Sequence, residues 1–310
     1  MSKAKLKDMC ISAKNSHYRW QLYFFKIDRR ANQPFNVHKV KFKNDSYLSG
    51  YTTSLLNATE TFQIDPISKV QDYTGENSKV SCDKLPLTSE LISEQWENFS
   101  HAVATSSSRE IDGKINGYIL CGQPQPYDHD DKPVMFVKVA NPVVKLENKK
   151  SVVFSSKINN ELDLISDDVY RLYLTVDFII YDNTIYAFNY TFETVFNLER
   201  TMKKVKQQAI DVIVCTNAFT DTKIFKTFAN QYPSSRTFIT LNPERIDRIK
   251  NRMSRRNVAK MLNLTLDAND NFDIKNEEDA YRLIKYLCFK IFQDGETNNV
   301  LEVSSVTVLR

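Results

Sequence analysis

Residues 177–188 read Asp-Phe-Ile-Ile-Tyr-Asp-Asn-Thr-Ile-Tyr-Ala-Phe. Phe178–Tyr181 and Thr184–Phe188 are short runs of β-branched and aromatic residues, which favour strands. Between them stand Asp182 and Asn183, two residue types that tolerate a positive φ. The stretch therefore predicts two antiparallel strands joined by a tight hairpin turn.

The segments before this hairpin also favour strands. From Ile115 to Asn189 nearly every segment is rich in β-branched and aromatic residues between turn residues, and one of the strands predicted there is Tyr170–Val176. Two further strands are predicted at Tyr18–Ile27 and Val37–Phe42. A helix is predicted near 88–104, with Thr88 or Ser89 as its N-cap.

After Asn189 the hydrophobic period becomes helical. Residues 191–216 predict an amphipathic helix or a bent pair, and 221–230 a second helix. Asn242-Pro243 is typical of an N-cap followed by proline at the first helical position. The last helix is predicted after a cap at Asn276.

These patterns predict an α+β fold, with a β-rich N-terminal and central part of mostly antiparallel strands and a helix-rich C-terminal part. The expected domains are a β-rich mixed domain over 1–190, with its one long helix near 88–104, and a helical domain over 191–310 that ends in a strand at Val300–Leu309.

Composition indicates an ordinary folded protein. The 310 residues are 42% hydrophobic and 26% charged, with a net charge of +4, too small by itself to indicate nucleic-acid binding. The five cysteines form no C-x-x-C pair, which argues against disulfides and a zinc site. The basic N-terminus lacks an apolar signal segment, and acidic residues interrupt Tyr170–Tyr190, so no direct membrane span is expected. A cytoplasmic location follows, at the inner face of the membrane only through a partner.

No familiar catalytic motif surrounds any of the four histidines. We therefore expect a binding protein, not an enzyme, and no cofactor or metal. The acidic run Asp128–Asp131 could hold a divalent cation, but its flanking prolines favour a solvated loop. A Mg²⁺-dependent nuclease is the enzymatic alternative, using Asp130 or Asp131 with Glu147 and Lys149, although a charged strand end explains Glu147 and Lys149 as well.

Positive charge is concentrated in the last third of the chain. Between residues 242 and 260 the sequence has seven cationic residues and only two acidic ones, Glu244 and Asp247. The arginines of this group are predicted to cluster on one side of a helix. The predicted DNA-contacting residues of this group are Arg245, Arg248, Lys250, Arg252, Arg255, Arg256 and Lys260. A weaker basic set on the 191–216 helix adds Arg200, Lys203 and Lys204.

Arginine suits phosphate because its planar guanidinium matches phosphate oxygens. If Ser254 caps a new helix, Arg255 and Arg256 lie at its positive N-terminus, which also favours phosphate. The alternative for both basic sets is a solvated surface with local ion pairs. Nothing in either set indicates base-specific readout.

Several segments resemble the B component of the Kiwa anti-phage defence system, the KwaB-like proteins. They are Asp177–Asp182 with Ile185-Tyr186, Phe192-Glu193 with Phe196, Arg255–Ala259, and Leu283–Lys285 leading to Thr297 and Val303–Ser305. The resemblance implies a DNA-binding effector, a homodimer, that acts with the membrane-embedded A component of the system on double-stranded DNA.

Three functions stay open on the sequence. The leading one is a DNA-binding defence effector without catalysis. The second is the Mg²⁺-dependent nuclease. The third is a non-catalytic adaptor whose basic face meets an acidic protein or anionic lipid headgroups.

Overall fold

The computed structural model describes residues 2–15, 18–75, 80–108, 114–125, 132–144, 154–156, 162–164, 169–294 and 299–302. The chain forms two compact units. The first unit is Met1–Tyr73 with Asn77–Asn197, and the second is Thr74–Glu76 with Leu198–Arg310. Strands dominate the first part of the chain and helices the last, so the predicted α+β class is confirmed.

An eight-stranded sheet organises the first unit. Its strands are β1 (Tyr18–Ile27), β2 (Phe35–Lys39), β3 (Lys69–Asp72), β4 (Ser81–Pro86), β5 (Gly117–Pro124), β6 (Val134–Lys138), β11 (Phe178–Tyr181) and β12 (Thr184–Ala187). The order is β2-β1-β5-β6-β11-β12-β4-β3. Only the pair β3–β4 at one edge is parallel, so the expected antiparallel character is confirmed. Two separate ladders join β7 (Val143–Val144) with β10 (Val169–Tyr170) and β8 (Phe154–Ser156) with β9 (Leu162–Leu164).

Helices lie on both faces of this sheet. The helices of the first unit are α1 (Lys3–Asn15), α2 (Asp45–Thr59), a π-helical turn (Glu60–Ile64), α3 (Ser93–Ala104) and α4 (Thr191–Val195). On one face, α1 and α2 bury residues such as Leu6 and Leu56 against Leu22 and Ile179.

The other face of the sheet is aromatic. Phe99 of α3 meets Phe25 and Phe35 edge to face, with ring centroids 6.0 and 5.1 Å apart. Phe196, just after α4, lies 5.6 Å from Phe99 and 5.9 Å from Phe178. Such edge-to-face pairs add to the hydrophobic stabilisation that ring burial supplies.

The central hairpin forms as predicted. β11 pairs with β12 from Phe178 to Ala187, and the turn residues Asp182 and Asn183 have φ of 49° and 54°. Positive φ at both turn positions gives a twist that matches the flanking strands. The hairpin is thereby fixed in register between β6 and β4.

A buried carboxylate stands at the start of this hairpin. Asp177 is 3% exposed and accepts hydrogen bonds from Lys138 Nζ at 3.0 Å, Val139 N at 2.7 Å and Asn189 Nδ2 at 2.7 Å. A buried charge is tolerated only when it is paired and hydrogen-bonded in this way. The network fastens the entry and exit of the hairpin to β6.

The second unit is a cluster of helices. They are α5 (Leu198–Val214), α6 (Lys223–Gln231), a 3-10 turn (Ser235–Thr240), α7 (Pro243–Lys250), α8 (Arg252–Leu262) and α9 (Glu277–Leu287). A short ladder of β13 (Ile291–Gln293) and β14 (Val300–Glu302) follows. As predicted, Asn276 caps α9 by accepting from Asp279 N at 3.0 Å, and the apolar stripe of α9 is buried in the core.

Several local predictions differ from the structure. The helices α1 and α2 were not predicted, although Leu6, Met9, Cys10 and Ala13 have helical spacing and are buried. The N-terminal part therefore holds more than the one long helix expected near 88–104. That helix begins at Ser93 and not after Thr88 or Ser89.

The predicted strand Tyr170–Val176 is wrong beyond Tyr170. The Tyr118 hydroxyl bonds to both backbone groups of Tyr173, and the Gln63 amide bonds to both of Val176. Side chains thus replace the strand ladder that the propensities predicted. Of the predicted C-terminal strand, Val300–Glu302 is a strand and the remainder lies outside the described residues.

Asp177→Asn should lower the free energy of unfolding by about 3–5 kcal/mol, because it leaves the half-buried Lys138 ammonium without the counter-charge that the buried carboxylate supplies. Urea denaturation measures this change. Asp182→Asn is the matched control. Asp182 forms an exposed ion pair with Lys132 and asparagine tolerates its positive φ, so stability should change by less than about 0.5 kcal/mol. Equal effects of the two substitutions would contradict the role of Asp177.

Candidate nucleic-acid interface

Two asparagine caps set the directions of α7 and α8. Asn242 accepts from Arg245 N at 3.0 Å with Pro243 at the first helical position, as predicted. Asn251 accepts from Ser254 N at 3.0 Å and caps α8. The cap of α8 is therefore Asn251 and not Ser254, so the condition for a phosphate site at Arg255 and Arg256 is not met. Since α8 begins at Arg252, Arg255 lies beyond its three N-terminal positions, and the argument from a positive helix end fails for Arg255 and Arg256.

Arg245 is a structural residue. It is 7% exposed, and its guanidinium donates to the carbonyls of Tyr286 and Ile291. The guanidinium carbon lies 4.5, 4.1 and 4.7 Å from the ring centroids of Tyr286, Phe289 and Phe292. Burial lowers the pKa of this guanidinium. Arg245 therefore joins α7 to the end of α9 and to β13, and it is not available to DNA.

Arg255 is also buried, with 6% exposure. It donates from Nε to Ile249 O at 2.8 Å, and from the two terminal nitrogens to Asp270 O at 3.1 Å and Lys250 O at 3.2 Å. Burial lowers the pKa of this guanidinium as well. The side chain closes the α7–α8 corner onto the segment around Asp270. The prediction that the five arginines share one exposed face is wrong for Arg245 and Arg255.

Arg252 and Arg256 bind one carboxylate. Asp270 Oδ2 accepts from Arg252 Nε, and Asp270 also accepts from Arg256 Nε and Nη2 at 2.8 Å each. The Asp270 side chain is 13% exposed, whereas those of Arg252 and Arg256 are 61% and 54% exposed. The three side chains together carry one net positive charge. Asp270 fixes both guanidinium groups, while some of their N–H donors stay unused.

Arg248 and Lys260 are exposed and have no hydrogen-bond or ion-pair partner within the described part of the chain. Lys250 is exposed but pairs with Asp247 at 2.9 Å. Five of the seven predicted cations on α7 and α8 are therefore exposed, and two of these five are uncommitted.

A cavity of about 290 Å³ lies beside Arg248. Ser254, Asn257 and Tyr286 contribute to its lining. Hydroxyl and amide groups can donate hydrogen bonds to phosphate oxygens beside a guanidinium. The cavity is thus the place on this surface where several donors meet an uncommitted arginine.

The second basic set is on α5. Arg200 and Lys204 are exposed with no partner among the residues that the structure describes, and Lys203 pairs with Glu199 at 2.8 Å. Lys206, on the same helix, donates to the carbonyls of Asn230 and Tyr232.

The residues of the nuclease alternative, Asp130, Asp131, Glu147 and Lys149, lie outside the described residues, as does His129. Among the residues that are described, no group of three or more histidine, cysteine or acidic side chains could hold a metal ion.

Comparison with known families identifies the chain. The family model described as Kiwa protein KwaB-like matches residues 128–290, more than half of the sequence. The chain belongs to this KwaB-like family. It is accordingly a component of the Kiwa anti-phage defence system. No curated protein and no solved structure matches the chain.

The matched region of this KwaB-like chain contains the central hairpin, both basic sets and α9. The Asp177–Asp182 and Arg255–Ala259 segments that carry the resemblance fall within it. Within the described ranges, no helix combines the length and apolar character needed to cross a bilayer.

The Arg252–Asp270–Arg256 cluster predicts a specific pH dependence. The two guanidinium groups lower the pKa of Asp270 to about 2, whereas an unfolded aspartate titrates near 3.9. The cluster therefore stabilises the fold fully above about pH 4 and loses this contribution as pH falls towards 2. Thermal unfolding of the wild type and of Asp270→Asn should differ at pH 5 and converge near pH 2. A difference that does not change over this range would contradict the ion pairing.

Proposed function

We propose that this KwaB-like chain is a DNA-binding effector of the Kiwa system that engages the phosphate backbone of duplex DNA. The observation that supports the proposal is the exposed group of cations on α7 and α8, which we call the α7–α8 cation group. It consists of Arg248, Lys250, Arg252, Arg256 and Lys260, and α7 and α8 offer only Glu244 and Asp247 as exposed carboxylates.

Phosphate binding accounts for the arrangement of this group. Exposed like charges on adjacent helices repel each other, and a bound polyanion removes that repulsion while releasing its own counterions. Asp270 holds Arg252 and Arg256 in place, so less side-chain entropy is lost when their free N–H groups meet phosphate oxygens. Arg248, with its neighbouring cavity, supplies a third guanidinium.

The expected interaction is with backbone and not with bases. The cations of the group are point charges and guanidinium forks on a helical surface, and neutralising phosphates carries no sequence information. Arg200, Lys203 and Lys204 of α5 are proposed to add backbone contacts. Arg245 and Arg255 are left out because their donors are used inside the protein.

The further parts of the proposal derive from family membership. We infer that the effector acts as a homodimer with the membrane-embedded A component and without catalysis. Light scattering of the purified chain tests the dimer, and co-purification from membranes tests the partner. A chain that is monomeric and does not co-purify with the A component would contradict both the dimer and the partner. It would not affect the proposal of DNA binding.

Replacing the two uncommitted cations, as Arg248→Ala with Lys260→Ala, should weaken duplex binding uniformly across sequences. If each residue contacts one phosphate, the negative slope of log affinity against log salt should become less steep by roughly 2, since each phosphate contact contributes about −0.9. Fluorescence anisotropy of a labelled duplex at several salt concentrations measures both quantities.

The matched control is Lys223→Ala with Lys226→Ala, which removes two exposed cations from α6 of the same unit. It should leave the affinity within twofold to threefold and the salt slope nearly unchanged. Equal loss in the two double variants would mean that net charge, and not the α7–α8 cation group, determines binding.

The nuclease alternative is tested with supercoiled plasmid and Mg²⁺ under conditions in which the protein binds. We expect the plasmid to stay supercoiled. Nicking that disappears in Asp131→Asn or Glu147→Gln would replace the proposal of binding without catalysis.

A further inference from the structure

A second candidate site lies in the first unit, in the part of the chain that precedes the family match. A cavity of about 710 Å³ opens between α1, α2, the start of β1 and the segment that follows β2. This volume is in the range of pockets that bind small molecules. Its lining is mainly polar, but it includes three aromatic residues, Tyr18, Trp20 and Phe42.

The cavity exists because β2 is shorter than β1. β2 pairs with β1 only from Tyr23 to Ile27, and just beyond it Val40 N donates to Leu22 O at 2.9 Å. The described strands leave Tyr18–Gln21 unpaired on that side. The Gln21 side chain partly substitutes for the missing strand by donating to Leu22 O at 2.8 Å and Val40 O at 2.7 Å. The open edge of β1 and its side chains therefore face an unfilled space.

The lining contains Lys14 and Lys41, with Asp45 as its carboxylate. Lys14 pairs with Glu60 at 2.5 Å, whereas Lys41 is exposed and has no partner among the residues that the structure describes. Arg19 also borders the cavity, but it alternates with Tyr18 and Trp20 along β1, so its side chain lies on the opposite face of the sheet, where its charge acts on Tyr23. An uncommitted lysine beside a cavity favours an anionic ligand.

The aromatic residues indicate that the ligand carries a planar ring as well as a negative charge. Tyr18 and Trp20 are stacked, with ring centroids 5.5 Å apart and planes at 26°, and both are half-buried. A nucleobase can stack on such rings whatever its pattern of hydrogen-bond donors and acceptors, because every base has a π-face. Stacking groups next to a free cation fit a ligand that joins a base to a phosphate.

A buried hydroxyl also lacks a partner at this site. Thr52 lines the cavity and is 4% exposed, and its Oγ1 has no hydrogen-bond partner among the described residues. A buried polar atom without a partner costs free energy, which a ligand can offset. Thr59, on the same helix, has an equally unsatisfied hydroxyl but does not line the cavity.

We propose that this cavity binds a nucleotide, with its base at Trp20 and Tyr18, its phosphate at Lys41, and a hydrogen bond to Thr52. The nucleotide is either free or the terminal nucleotide of a nucleic-acid strand. The inference does not depend on the α7–α8 cation group, since all of these residues belong to the first unit.

Tryptophan fluorescence tests the proposal directly, because the chain has only two tryptophans. In Trp96→Phe, Trp20 is the sole reporter. Adenosine 5′-monophosphate should quench it saturably, whereas ribose 5-phosphate, which lacks a base, should not. A short oligothymidylate forms the second arm, and quenching by the oligonucleotide alone would assign the site to a strand terminus.

Variants of the Trp96→Phe protein locate the ligand. Lys41→Glu should weaken binding at least tenfold, and Lys43→Glu, exposed in the same segment but outside the cavity, by less than twofold. Thr52→Val should weaken binding without lowering the thermal midpoint of the free protein. Thr59→Val should leave binding unchanged.

The absence of saturable quenching in both arms would overturn the proposal, as would equal effects of Lys41→Glu and Lys43→Glu. If the β1 amides were instead protected from hydrogen exchange only on adding a partner protein, the open edge would be a strand-pairing site. The double variant Arg248→Ala with Lys260→Ala should bind the nucleotide normally. Failure of the nucleotide-binding experiment would therefore not count against duplex binding, which the anisotropy experiment tests.

Discussion

An ionised side chain inside a protein loses its hydration, and the protein must replace every lost hydrogen bond. This constraint acts at Asp177, which holds the central hairpin through three donors, and at Arg245 and Arg255, which fasten α7 and α8 to their neighbours. In each case the hydrogen-bond partners belong to other elements of the fold than the one that carries the charged side chain. The hairpin of the first unit and the α7–α8 corner of the second therefore depend on satisfied internal charges.

The same constraint divides the basic residues of the second unit into two kinds. Guanidinium groups that are buried and donate to carbonyls, as those of Arg245 and Arg255 do, are structural, whatever their position on a helical wheel. The exposed ones either have no partner among the described residues, as Arg248, or share a carboxylate, as Arg252 and Arg256 share Asp270. A shared carboxylate orders two arginines and still leaves a net positive charge. This arrangement suits repeated phosphates better than a set of independent, mobile cations does.

The two proposed sites have different chemistry. The α7–α8 cation group is an exposed surface on which charge is the dominant feature, and such surfaces bind a polyanion without reading its sequence. The cavity beside Trp20 is a partly open space with a mainly polar lining, two stacked rings and an uncommitted lysine, a combination that suits one nucleotide.

The sequence by itself determined the central hairpin, because the positive φ of Asp182 and Asn183 is a local property, and it determined α9, whose cap and apolar stripe lie within one segment. Helical periodicity also placed the basic residues in helical segments, but it did not locate the break at Asn251 that divides them between α7 and α8. Only the tertiary structure decided which of them are buried. The acceptors of Arg245 come from residues about forty positions later in the chain, and a pattern within one helix contains no information on such distant partners. The cavity of the first unit likewise arises from the unequal lengths of two paired strands, which local propensities do not fix.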